Sequence, residues 1–420
     1  MMKNSKIFIF LMILFLGLTL ASCGVSDDSG MKIKIWTSEI AGVAELTKTQ
    51  VQRFADEKGV KIDLEVVGMG EKSAPSQLVK DLDKGADIFF FAQDQLARLV
   101  QANAISRLNA ASSEILSAEH DEASLNAATI RDKYWAYPVT NDNSFVMFYD
   151  KRYINEEHLG SLEDLIADCQ AANRKFSFNL ENEGGWYNAS FFFATGCKTE
   201  WEISIENKFE DYTDTFNSDN GVIALRGMQH LLKATYGNNI PVWNDSASAA
   251  DFNAALPSAI VVSGTWAGKD IQKILGDNFG VAPLPSFTVD GTSYQLGSFR
   301  GAKLLAVKKQ TTTERAKFMN ELALYLSGEE CQRERFVQFG WGPSNKNVQN
   351  EEAVKNDPIL KALNEQYNKN SVYQGQIPGN WWSIAESYVA EARRAAQDDD
   401  AALRKALSDY AAILPSMLGD

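Results

Sequence analysis

The chain has 420 residues, with 41 Lys and Arg against 55 Asp and Glu and a formal net charge of −14. That balance argues against a protein that works by neutralising phosphates or by coating anionic lipid. Three His and four Cys leave too little for a transition-metal centre or a disulfide-stapled scaffold. At roughly 100–200 residues per domain the length suggests two or three domains. Nine Trp, 13 Tyr and 23 Phe without matching positive charge are the feature to explain.

The N-terminus sets the compartment. Lys3 and Lys6 precede an almost wholly apolar stretch, 7–20, which ends at Leu20-Ala21-Ser22-Cys23. The apolar stretch is shorter than the ~20 residues a spanning helix needs. It reads as a secretory signal over 1–22. Small residues directly before Cys23 resemble a bacterial lipobox, which implies a lipid on Cys23 and cleavage before it. Residues 23–30 are small and polar, as a flexible tether should be. The mature chain keeps Cys169, Cys197 and Cys331, and a Cys169–Cys197 bridge is open at this point.

After the tether, 31–36 alternates like a strand with one buried face. Val43, Leu46, Val51 and Phe54 follow at helical spacing, and Gly59 sits where a helix stop belongs. Residues 60–67 alternate again, and 86–91 form an apolar run suited to a strand buried on both sides. This β-α-β-α-β order predicts a parallel sheet with helices on both faces. Ligands bind such sheets beyond the carboxyl ends of the strands, so 36–39 and 91–94 are candidate site loops. Further strands are expected at 135–139, 144–149, 175–180, 259–262, 279–282 and 301–307. An amphipathic helix is expected at 315–326, and helix from 382 to the end apart from the acidic break at 398–400.

Catalytic motifs are scarce. Gly68-Met69-Gly70-Glu71-Lys72-Ser73 looks superficially like a phosphate loop but lacks the Gly directly before Lys. His120, His158 and His230 lie in polar helical contexts and read as solvent-facing. Paired carboxylates for glycoside hydrolysis depend on spatial separation and stay open. No cofactor motif appears. The basic stripe that nucleic acid would need is also missing.

Several aromatics fall in Gly- or Pro-marked loops rather than on apolar stripes. They are Trp186 and Tyr187 after Gly184-Gly185, Trp266 in Gly264-Thr265-Trp266, Trp341 before Gly342-Pro343, and Trp381-Trp382 after Pro378-Gly379-Asn380. A Trp held by such a loop can present its flat face. A sugar ring offers an apolar C–H face and a belt of hydroxyls, so flat aromatics beside carboxylates or amides suit it. Trp36, Trp135, Trp201 and Trp243 read as packing residues, and Asp94 as a possible cap of the helix that follows it.

Seven short segments in order resemble the extracellular solute-binding proteins of ABC sugar importers, the maltose/maltodextrin-binding branch in particular. They are Ile33–Trp36, Ala86–Asp94, Ala136–Val139 with Phe148–Lys151, Phe178–Leu180, Ser263–Ala267, Phe279–Pro285 and Ile377-Pro378 before the Trp pair. The resemblance implies an α/β, two-lobed periplasmic-binding-protein fold of type II, with the ligand cleft between lobes joined by crossing hinge strands. Carried over, lobe one is 31–140 with 300–342, and lobe two is 141–299 with 343–420. Ligand contacts fall on Glu39, Phe91, Asp94, Asp142, Asn143, Trp186, Tyr187, Trp266, Trp381 and Trp382, with one of the last two stacking.

Departures from that branch are also present. Gln95 stands where it has Arg, Phe91 replaces a larger ring, and Thr37-Ser38-Glu39 lacks its Asp-Lys pair. A different α-linked oligosaccharide then becomes plausible. The resemblance implies capture by hinge closure, without turnover or cofactor. The protein is expected to be an exported monomer, held to a bacterial membrane only by lipid and facing the periplasm or exterior. It would deliver carbohydrate to ABC permease subunits. A secreted glycosidase and a sugar-sensor subunit for a receptor kinase are the competing readings.

Overall fold

A computed structural model describes residues 30–182 and 184–419. The export signal, Cys23 and the tether as far as residue 29 lie outside them. Two five-stranded sheets organise the chain. The first has the order Ile62–Gly68, Met31–Thr37, Ile88–Ala92, Lys303–Val307, Tyr137–Pro138. Its first three strands run parallel, as the β-α-β pattern demands, whereas Lys303–Val307 enters antiparallel to Ile88–Ala92. The second sheet has the order Trp243–Asn244, Lys175–Ser177, Ser258–Gly264, Phe145–Asp150, Phe279–Ala282.

Strand parity sends side chains to separate layers. Ile88 and Phe90 enter one core cluster with Ile33, Ile35, Val43 and Phe54, while Phe89 and Phe91 enter another with Leu78, Leu96 and Leu99. In the second sheet Phe145, Met147 and Tyr149 face one core and Val146 and Phe148 the other. Each such burial is worth about 1.5–3 kcal/mol relative to exposure. A strand flanked by helical layers on both faces must therefore be apolar at every position, which explains the run at Ile88–Phe91.

Helices follow the periodic stretches. Val43–Lys58 stops at Gly59, whose φ of +64° is the left-handed conformation a C-terminal glycine supplies cheaply. Thr313–Ser327 starts where the Thr312 side chain accepts from the Arg315 N–H. The C-terminal segment is broken into Trp381–Ile384, Ser387–Arg394 and Asp400–Ala411. The strand expected at 135–139 shrinks to Tyr137–Pro138. Hairpins the sequence did not announce are present, the longest being Thr199–Ile203 with Phe209–Asp214 and Ser286–Val289 with Thr292–Gln295.

The chain crosses between the sheets near residues 140–145, 298–303 and 341–345. There Thr140 bridges to Pro343 and Asn143 to Gly301. Asp142 is buried at this crossing. Its carboxylate accepts from the Gly342 N–H at 2.7 Å and from the Thr265 hydroxyl at 3.1 Å.

Two readings change, those of the cysteines and of His120. Cys169, Cys197 and Cys331 are all free and buried, so the Cys169–Cys197 bridge is absent. His120 is buried rather than solvent-facing, 3.0 Å from the Ser344 hydroxyl, and burial pushes its pKa down to about 4. His158 and His230 sit against Asp168 and Glu163. Among the described residues no helix is long and apolar enough to cross a membrane, and no His, Cys, Asp and Glu cluster could hold a metal ion.

Candidate functional site

A cavity of about 480 Å³ lies between the two sheets' lobes. From the first lobe come Ser38 and Glu39, just past the strand Met31–Thr37, and Asp94 past Ile88–Ala92. These are carboxyl ends of parallel strands, where such sheets leave an open crevice. From the second lobe come Trp186 and Tyr187 at the start of the helix Gly185–Ala194, Trp266, and Trp382 on Trp381–Ile384.

The aromatic wall is ordered by ring contacts. Trp186 and Trp266 stack with centroids 5.7 Å apart and planes 25° from parallel. Trp186 is held from behind by Phe145, edge-on at 4.7 Å, and by Tyr187 at 5.0 Å. Trp266 folds back over its own loop, so a Cβ on Gly264 would come within 2.3 Å of the indole ring. Only glycine lets the strand end directly beneath the ring. The loop Ser263-Gly264-Thr265-Trp266 is thus built to lay one indole flat.

Asp94 spans the cleft. It caps no helix: its carboxylate accepts from Gln95 at 2.5 Å and from Gln374 at 3.2 Å, with the Trp382 side chain close by. Burial pushes its pKa up to about 6, against the lowering effect of Gln95, a backbone N–H, Trp382 and the Lys72 charge. Gln374 in turn touches Trp186, at 3.4 Å from its indole nitrogen. The same segment bonds the first lobe through Gln376, whose amide contacts the Gln93 carbonyl and the Ala97 N–H at 2.9 and 2.8 Å.

Of the residues expected here, Glu39, Asp94, Asn143, Trp186, Tyr187, Trp266 and Trp382 line the cavity. Phe91, Asp142 and Trp381 do not. Phe91 is fully buried in a layer of the first lobe, with its ring 5.5 Å from Phe89, because strand parity turns it away from the opening. Asp142 is occupied by the crossing segments. Trp381 is fully buried and donates its indole N–H to the Tyr410 hydroxyl at 2.9 Å, leaving Trp382 as the member of the pair that reaches the cleft.

Sequence reasoning missed Lys303, Glu71 and Gln374, which also line the cavity. Lys303 opens the crossing strand Lys303–Val307 and is 6 % exposed. Its Nζ lies 3.2 Å from Glu71, 4.9 Å from the ring centre of Trp266 and 4.8 Å from that of Trp341. Burial pushes the Glu71 carboxyl up, but Lys303, a backbone N–H and Ser38 together hold it below its ordinary value. Glu71 had one available signal: its glycine-bearing loop follows the second parallel strand, at the same sheet edge as Glu39. Nothing in the sequence marks Lys303 beyond a charge heading an apolar strand.

Comparison with known proteins places the chain. The model of the bacterial extracellular solute-binding proteins matches residues 49–362. A galactooligosaccharide-binding protein of Bacillus subtilis is 21 % identical over 378 residues, 87 % of each chain. A maltotriose-binding protein of Pyrococcus abyssi is 22 % identical over 292 residues, which is 66 % of this chain and 58 % of that relative. Among solved structures, the maltodextrin-binding protein of L. casei BL23 without ligand has a TM-score of 0.75 at 22 % identity. It covers 91 % of this chain and 98 % of its own. That likeness carries the two-lobed fold, and the family model matches well over half of the sequence. The chain belongs to the bacterial extracellular solute-binding proteins.

Proposed function

We propose that the protein captures a neutral carbohydrate, a maltodextrin or another α-linked oligosaccharide, in the interlobe cleft and delivers it to an ABC permease. The observation that carries this reading is the flat Trp186–Trp266 pair facing a buried carboxylate, Asp94, across one cavity. Indoles cover the apolar face of a sugar while carboxylates and amides take its hydroxyl protons. Glu39, Asp94 and Asn143 serve as hydroxyl partners; Trp186, Tyr187, Trp266 and Trp382 form the apolar wall. The relatives' ligands, galactooligosaccharide and maltotriose, belong to the same chemical class.

Lobe one is 31–140 with 300–342, and lobe two 141–299 with 343–420. Sugar bridging both favours the closed form, because only differential contact shifts a hinge equilibrium. Binding proceeds without turnover. The mature monomer is tethered through a lipid on Cys23, which keeps it near the permease at the outer face of the host membrane.

Isothermal titration of maltose, maltotriose, a longer maltodextrin and a galacto-oligosaccharide tests this. At least one is expected to bind and to raise the melting temperature, since a ligand of the folded state stabilises it. No heat from any of them removes the reading. New reducing ends after incubation with these sugars replace capture by hydrolysis.

A further inference from the structure

We propose that Lys303 and Glu71 form a hydroxyl-reading pair at the base of the cleft, which selects a sugar unit bearing two free vicinal hydroxyls. The proposal rests on the carbohydrate reading and narrows it. Glu71 accepts from one hydroxyl while Lys303 donates to its neighbour.

A lysine 6 % exposed and a carboxylate beside it are expensive to desolvate, and as an ion pair alone they add little stability. Here both line the cavity instead of being sealed in a core. Their surroundings fix them in place. The Lys303 N–H donates to Thr140 Oγ1 at 3.2 Å, and its carbonyl accepts from the Val139 N–H at 2.9 Å. The lysine is thereby anchored on the crossing strand rather than on a mobile loop.

At the far end of the side chain, two indoles flank the ammonium, Trp341 from the crossing segment and Trp266 from the second lobe. Cation–π contact orients an ammonium but leaves its N–H donors available. Lys carries three donors, of which Glu71 takes one at 3.2 Å. Glu71 is held ionised and keeps acceptor capacity beyond its contacts with Lys303 and Ser38.

A fixed donor next to a fixed acceptor matches one geometry above all, two adjacent hydroxyls, one accepting and one donating. Hydrogen bonds to charged groups are roughly twice as strong as neutral ones. The amide of Asn143 can present either an oxygen or a nitrogen, so it discriminates less, and the Gln374 amide is already held by Asp94 and Trp186. The pair is neutral as a unit, so it suits an uncharged sugar. It also gives the loop Gly68-Met69-Gly70-Glu71 a role, as the carrier of the acceptor.

The test is a cycle between protein and ligand. Titrate the wild type, K303M and K303M/E71Q with maltotriose and with analogues that lack a single hydroxyl at C2 or C3 of one glucose. K303M is expected to weaken maltotriose 10–100-fold. For at least one deoxy analogue, the wild type is expected to lose a similar factor and K303M to add less than twofold. The double variant, which buries no unpaired charge, carries the same comparison should K303M fold poorly. An equal loss across every analogue assigns the pair a structural role and overturns the proposal, as does unchanged affinity for maltotriose. A wild type that binds none of the sugars in the screen overturns the carbohydrate reading, whereas tight binding indifferent to both substitutions removes only the hydroxyl pair.

Discussion

Adjacent residues in this cleft have opposite assignments. Trp381 and Trp382 are neighbours on one short helix, where successive side chains point about 100° apart. One therefore anchors the second lobe's core and the other meets the cavity. Trp381→Ala removes a fully buried indole and its bond to Tyr410, so it should cost about 3–5 kcal/mol of stability, read by urea unfolding. Trp266→Ala should leave the melting curve nearly in place yet weaken sugar binding by about 1–3 kcal/mol in titration. A pattern in which both substitutions act on stability alone would remove Trp266 from the site. The sequence showed that the pair lies in a Pro- and Gly-marked loop. It could not show which member turns inward, because that depends on helix phase.

At the scale of elements, what could be read depends on periodicity. Val43–Lys58 and Thr313–Ser327 were legible because a core-facing helix must repeat its apolar residues every three or four positions. Ile88–Ala92 was legible for the opposite reason, having no polar face at all. The hairpin Thr199–Asp214 was not: it is a two-stranded ribbon with many exposed charges and no sheet to complete. The apolar run at Ile88–Phe91 already implied a core position for Phe91, and strand parity overrides the resemblance that put it in the site. Asp142 and Asn143 show the same alternation at the crossing, where one faces the hinge and the next faces the cleft. Asp142→Ala would leave the Gly342 N–H unpaired in a buried place, at about 1–3 kcal/mol, while the Thr265 hydroxyl keeps its 2.9 Å bond to the residue-142 carbonyl. A fall in melting temperature, with Asp142→Asn milder, is expected from thermal denaturation. An unchanged melting curve would mean that the crossing is held by its backbone bridges alone.

Asp94 is a property of the whole molecule, because its carboxylate belongs to one lobe and two of its partners, Gln374 and Trp382, to the other. Burial raises its pKa to about 6, whereas an unfolded Asp titrates near ~4. Between those values the folded state binds more protons than the unfolded one. The contribution of Asp94 to stability without ligand therefore falls as pH rises from ~4 through ~6 and is level above. Sugar works in the other sense. A hydroxyl that donates to Asp94 needs the ionised form, so affinity should drop about tenfold between pH 7 and pH 5. Asp94→Asn should flatten both profiles, in melting and in titration, although Asp142 is also raised by burial. A pH-independent affinity in the wild type would place the carboxylate outside the ligand's reach.

The three free cysteines of the described chain are shielded, each buried and each with its thiol pushed upward by that burial. A soluble form beginning after Cys23 would therefore carry no thiol that a maleimide dye meets in the native state. One cysteine placed on the surface of each lobe could be labelled against a silent background. The distance between the two dyes would then follow the approach of the lobes sugar by sugar, in a single molecule.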